Sequence, residues 1–182
     1  MPVYSLMAGI LDYPAAEIIT AVETCASQMV TDCPEAAALL RNFQSSIAGM
    51  SLSKLQEVYT STFDLRPDST PSLGYHLFGD DVRRSLFMAK LKERIEAGGI
   101  ALGCELPDHL PLVLRLVDRQ GPGEESSILM TECLVPALSR IVQAMGANGN
   151  EMASANVYRY AIEALLVYVR KDASEAAPAG QK

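Results

Sequence analysis

The sequence predicts an all-α protein, one globular bundle of about seven to eight helices over residues 1–171 with a disordered tail at 172–182. Three observations carry this. No segment alternates apolar and polar residues at period two, whereas apolar residues recur at three and four along most of the chain. Pro, Gly and capping residues punctuate the pattern at short intervals. Of the 182 residues 49% are apolar and Trp is absent; Ala, Leu, Val and Ile dominate, a helical mixture. The length suits one domain with its own core, and there is no solenoid-type repeat.

Residues 3–11 read as a short apolar helix that stops near Asp12-Tyr13-Pro14. Pro14 is placed to open the next helix, with Glu17 in the first turn near the positive end of the helix dipole. Ile18, Val22, Cys25, Ala26 and Met29 form its buried face. Asp32-Cys-Pro-Glu35 resembles a capping box, and Leu40, Phe43 and Ile47 carry a third helix to Gly49. Ser51 or Ser53 caps a fourth, with Leu55, Val58, Tyr59, Thr62 and Phe63 inward, ending at Asp64. Residues 65–73 are a loop by composition. Gly74-Tyr-His-Leu-Phe-Gly79 is an aromatic knot, and Asp80-Asp81 cap a helix over 81–97. That helix has two apolar lines, Phe87, Leu91 and Ile95 on one side and Val82, Leu86 and Ala89 nearly opposite. It is therefore either sandwiched in the interior or open along one side to a groove.

Gly98-Gly99 ends this helix, and 98–106 is a linker. Glu105-Leu-Pro-Asp-His-Leu-Pro-Leu-Val-Leu114 follows, the densest motif in the chain. Asp108 serves as an N-cap, Pro111 falls at the third helical position, and Leu110, Val113, Leu114 and Val117 line one side. Two carboxylates and an imidazole then gather at a helix mouth. Gln120-Gly-Pro-Gly123 closes this helix. A long one over 124–146 contains Pro136 and is expected to kink or break there; Gly146-Ala-Asn-Gly149 stops it. The last, about 152–170, buries Val157, Tyr158, Ala161, Ile162, Leu165 and Tyr168, with an Arg159–Glu163 pair outside.

The net charge of −7 argues against nucleic acid and anionic membranes and suits a basic partner. Cys25, Cys33, Cys104 and Cys133 form no CxxC pair. With two histidines they make no metal-binding pattern, and they read as reduced thiols of a cytoplasmic protein. The N-terminus lacks a basic stretch before its short apolar run, so it is not a signal peptide, and no segment is expected to span a bilayer. No phosphate-loop, dinucleotide-fingerprint, nucleophile-elbow or zinc-helix motif occurs. His109 with Asp108 or Glu105 offers acid–base groups, yet adjacent residues seldom aim at one atom, and nothing in sequence completes a site. Catalysis is not expected. An acidic helical body with aromatics at Tyr75, His76 and Phe78 suits a basic amphipathic peptide.

Three motifs now point to a family. Tyr59-Thr-Ser-Thr-Phe63-Asp64, Tyr75-His-Leu-Phe-Gly-Asp-Asp-Val-Arg83 and Glu105 to Leu114 resemble the NarJ branch of the TorD/DmsD/NarJ molybdoenzyme-maturation chaperones. Leu6-Met-Ala-Gly-Ile-Leu-Asp-Tyr-Pro14 and Tyr158-Arg-Tyr-Ala-Ile-Glu-Ala-Leu165 fit as well, so the resemblance spans about residues 5–170. It implies a TorD-like all-helical fold and no catalysis, metal or cofactor of the protein's own. The implied partner is the apo catalytic subunit of a molybdoenzyme, respiratory nitrate reductase in the first place, held by its N-terminal leader until the molybdenum cofactor is inserted. Carried over, the leader-binding residues are Pro107, Asp108 and His109 with Glu105, and Tyr75, His76, Leu77 and Phe78; Asp64 is added as a further acidic contact. Relatives often carry an acid where this chain has Arg115. The expected mode is apolar docking against Leu77, Phe78 and the 81–97 helix, with leader arginines meeting Asp108, Glu105 and Asp64. No nucleic acid or membrane insertion is implied, and both monomer and dimer remain open. The alternatives are a stoichiometric subunit of the reductase, or a chaperone for a related molybdenum dehydrogenase.

Overall fold

The computed structural model describes residues 2–147 and 157–176. Within them the protein is all-α, with no strand beyond an isolated antiparallel bridge between Ser72 and His109. The helices are α1 (Val3–Ile10), α2 (Ile18–Asp32), α3 (Pro34–Ile47), α4 (Leu52–Tyr59), α5 (Leu73–Phe78), α6 (Val82–Ala97), α7 (Leu110–Gln120), α8 (Glu124–Ile128), α9 (Val135–Ala147) and α10 (Val157–Ala176).

Apolar periodicity puts α3 between α2 and α10, and α1 between α2 and α7. The inward faces are the expected ones: Val22, Cys25 and Met29 on α2, Leu40 and Phe43 on α3, Tyr158, Ala161 and Leu165 on α10 are all buried. Tyr158 sits at the centre, its ring 5.2 Å from Phe43, 5.6 Å from Tyr59 and 5.1 Å from Phe63. Aromatic edges and faces packed this way add to plain area burial. Arg159 and Glu163 pair at 2.7 Å, as their spacing implies.

Two caps form where expected. Ser51 Oγ accepts from the Lys54 amide at 3.2 Å, and Asp81 Oδ1 accepts from the Arg83 amide at 2.8 Å. Three boundaries differ. Pro14 is a buried loop residue and α2 begins only at Ile18. Asp32 is the last residue of α2, so no capping box forms; Cys33 is the N-cap and Pro34 opens α3. Asp108 does not cap α7: His109 stands there without a side-chain bond, and Pro111 falls within the first two helical positions.

The aromatic knot is itself a short helix, α5, which Gly74 inside it and Gly79 at its end concealed. Pro136 does not break its helix. The turn just before it, Leu129–Leu134, widens to a π-helix, which accommodates the missing N–H and the ring. A second π-turn, Thr60–Asp64, ends α4. There Ser61 Oγ and Thr62 Oγ1 both donate to the Val58 carbonyl, competing with the helical ladder.

Glu124–Gly146, taken as one helix, is long and apolar enough to cross a bilayer by length and composition, against the expectation that no segment is. A core helix meets the same criteria, and here Leu134, Leu138 and Ile141 are buried, with α9 against α10. On α6 only Leu91 and Ile95 are buried, while Val82 and Leu86 are exposed, so its second apolar line is open rather than sandwiched. α10 runs on to Ala176, and Tyr4 Oη donates to Asp172 at 2.6 Å, so residues 172–176 of the stretch expected to be disordered are helical. The rest of that tail, part of the Gly146–Gly149 stop, and residues 152–156 of the expected last helix lie outside the described residues.

Candidate functional site

Three loops converge at the end of α4. The first is Leu11-Asp12-Tyr13-Pro14. Tyr59 Oη donates to the Leu11 carbonyl at 3.3 Å, Gln56 Nε2 donates to the Pro14 carbonyl at 3.1 Å, and the Tyr13 ring packs edge-on to Tyr59 at 5.5 Å. The second follows the π-turn and carries Asp64-Leu65. The third is the linker that ends in Glu105-Leu106-Pro107-Asp108-His109.

Each loop presents an acid followed by an exposed apolar residue. Tyr13 after Asp12 is 53% exposed, Leu65 after Asp64 is 72%, and Leu106 after Glu105 is 52%. The three acids belong to one neighbourhood. Burial raises the Tyr59 hydroxyl pKa, and the negative charges of Asp12, Asp64 and Glu105 push it further up. Among the described residues Asp64 and Glu105 make no ion pair, whereas Asp12 Oδ2 is held by Arg115 Nη2 at 2.6 Å.

Asp108 behaves differently from Glu105. It is 0% exposed. Its Oδ2 accepts from the Gly74 amide and from Arg84 Nε, both at 3.1 Å. Its Oδ1 is buried without a partner among the described residues. Backbone bonds run alongside: Leu73 N donates to the Asp108 carbonyl at 2.9 Å, and Leu110 N donates to the Pro71 carbonyl at 2.8 Å. Together they staple the start of α5 to the start of α7. Gly74 is required at this junction, because a Cβ there would lie 2.7 Å from Asp108 Oδ2. An Asp108 that meets a partner's arginines directly therefore finds no support here; its own Arg84 already occupies it.

His109 is buried beside it. Burial lowers its pKa, the charges of Glu105, Asp12 and Asp108 oppose that, and Arg115 reinforces it. His76 is also buried and lowered in pKa, mainly by burial. Its Nε2 donates to the Thr70 carbonyl at 2.7 Å, and its own carbonyl accepts from Arg140 Nη1. Tyr75, Leu77, Phe78 and Pro107 are half-buried. Arginines of the protein itself lie over two of these rings, Arg83 at 5.8 Å from the Phe78 centroid and Arg84 at 6.0 Å from that of Tyr75. Both guanidiniums are themselves paired, Arg83 with Asp81 and Arg84 with Asp108, so these two rings are already in contact with the protein's own cations. Between the two regions lies an open cleft of about 270 Å³, lined by Asp64, Arg66, Tyr75 and Arg84 among others.

Of the residues expected in the site, Glu105, Pro107 and Asp64 lie towards the acidic surface, Tyr75 on the cleft, and Leu77 and Phe78 on the α5–α6 side. Asp108, His109 and His76 are beneath. Sequence reasoning missed Asp12, Tyr13, Leu65 and Leu106. The signal available was the acid–apolar dipeptide repeated in three loops, visible only once the loops are known to meet. No group of three or more His, Cys, Asp and Glu able to hold a metal occurs among the described residues. The cysteines are unpaired, and burial pushes the Cys25 thiol up to about 12 and Cys133 to about 11, neither of them reactive at neutral pH.

None of the curated proteins compared matches the chain. The sequence model of the nitrate reductase delta subunit family matches residues 27–136, more than half of it. That stretch includes Tyr59 to Asp64, all of α5 and α6, and the motif from Glu105 to Leu114. With these elements assembled around one acidic, partly apolar surface, the chain belongs to the nitrate reductase delta subunit family.

Proposed function

We propose that the protein is a cytoplasmic, non-catalytic assembly chaperone. It binds the N-terminal leader of the catalytic subunit of a molybdoenzyme, a nitrate reductase in the first place. It holds the apo form of that subunit while the molybdenum cofactor is inserted. The family description supports the client, and the acid–apolar pairs at Asp12-Tyr13, Asp64-Leu65 and Glu105-Leu106 support the mode. A cationic amphipathic segment lays its apolar side on Tyr13, Leu65 and Leu106 and places its arginines on Asp64 and Glu105. Pro107 and Tyr75 border the contact, Leu77 and Phe78 extend it towards α6, and Asp108, His109 and His76 hold the surface from beneath. Exposed pairs of this kind contribute about 0.5–1 kcal/mol each, so apolar burial supplies most of the affinity.

Calorimetry of a peptide from the N-terminus of the catalytic subunit tests this. Glu105→Gln and Asp64→Asn are each expected to weaken binding about two- to fivefold, with stability changed by less than about 0.5 kcal/mol. Full affinity in both variants removes the acidic surface from the reading. The family name also suits a stoichiometric subunit. Co-purification with cofactor-loaded enzyme, rather than with the apo form, would favour that second reading.

A further inference from the structure

We propose that Arg115 sets how many positive charges the acidic surface accepts. The inference rests on the peptide-binding reading above and names the chemistry of the guest: an amphipathic segment bearing two cations, not three. The three loops bring three carboxylates together, yet they are not equivalent. Asp12 is filled from within, its Oδ2 by Arg115 Nη2 at 2.6 Å and its Oδ1 by the Tyr13 amide at 3.0 Å. Asp64 and Glu105 have no such partner among the described residues.

The Asp12–Arg115 side chains are 40% and 37% exposed, so a guest can reach them. Exchanging one guanidinium for another on the same carboxylate returns almost nothing, since one exposed pair is lost for each one made. A cation brought to Asp64 or Glu105 meets a carboxylate with no ion-pair partner among the described residues and keeps its full, modest gain. Arg115 comes from α7, whereas Asp12 lies between α1 and α2, so the pair also fixes Tyr13 beside Tyr59. The surface is thus read as two open acidic positions and one closed one.

The test uses full-length protein and two synthetic helical peptides with the same leucine face, one with two arginines and one with a third placed to reach Asp12. Wild type is expected to bind them within about twofold of each other. Arg115→Gln raises affinity for any cationic peptide because it removes a positive charge from the surface. The informative quantity is therefore the preference between the two. That preference should rise about threefold in Arg115→Gln and return to the wild-type value in Asp12→Asn/Arg115→Gln. Arg115→Lys, which keeps the charge on Asp12, should leave the preference unchanged; Arg115→Met, which removes it, replaces Arg115→Gln should that variant not fold. A wild type that already prefers the three-arginine peptide strongly overturns the proposal, as does a preference that persists without Asp12. If neither peptide binds wild type at all, the peptide-binding reading itself falls and this inference with it; binding with an unaltered preference in Arg115→Gln sinks the inference alone.

Discussion

Glu105 and Asp108 share one motif and occupy opposite environments. Glu105 stands exposed beside Leu106 on the acidic surface. Asp108 is wholly enclosed, tied to Gly74 and Arg84. The contrast teaches that acidity in a motif does not say what the acid faces. A carboxylate next to a helix start can serve a visitor or staple two elements. What decides is whether a donor from elsewhere in the chain has already claimed it. The same division separates Asp12, claimed by Arg115, from Asp64.

The largest effect should come from the enclosed member. Removing one partner of a buried ion pair strands the other. Arg84 keeps some solvent access, with 20% of its side chain exposed, so Asp108→Ala is expected to cost about 3 kcal/mol in urea unfolding. A loss below about 1 kcal/mol would show that Asp108 is no staple and erase the contrast with Glu105.

Gly74→Ala sharpens the same point. Its new methyl would crowd Asp108 Oδ2, and overpacking at a fixed group costs about 1–3 kcal/mol. The cost should shrink when Asp108 is already Ala, since the obstructing atom is gone; strict additivity in that double-mutant cycle would place the crowding elsewhere.

The smallest effect is in pH. His76 and His109 have folded pKa values below the ordinary 6.5, chiefly through burial. Each is kept neutral in the folded protein and takes a proton more readily once unfolded. Their stabilising share is whole above pH 6.5 and is lost as pH falls below it towards their folded values. Thermal midpoints should therefore decline between about pH 7 and pH 5.5, before most carboxylates titrate. His76→Gln and His109→Gln together should flatten that slope. An unchanged slope in the double variant would assign it to other groups.

Much of the fold was readable from the chain. Ser51 and Asp81 cap where their spacing says, and the buried faces of α2, α3 and α10 follow the three-and-four rhythm of their apolar residues. Where reading failed, a local signal was overruled by a neighbour. Asp32 looked like a cap, but α2 continues through it and Pro34 opens α3 directly behind Cys33. Asp108 looked like a cap until Gly74 and Arg84 took its carboxylate. In the candidate site, Glu105, Pro107 and Asp64 could be named from motifs, while Asp12 and Tyr13 could not. Their place depends on Tyr59, which reaches back to the Leu11 carbonyl across the fold.

By itself the sequence determined most of the helices, most of their inward faces and the kinship of the chain, because periodicity, caps and motifs are local properties. The tertiary structure alone decided which carboxylates meet water, which meet an internal arginine, and which loops share one surface. Those outcomes depend on charges and donors distant in sequence that only packing brings within hydrogen-bonding reach.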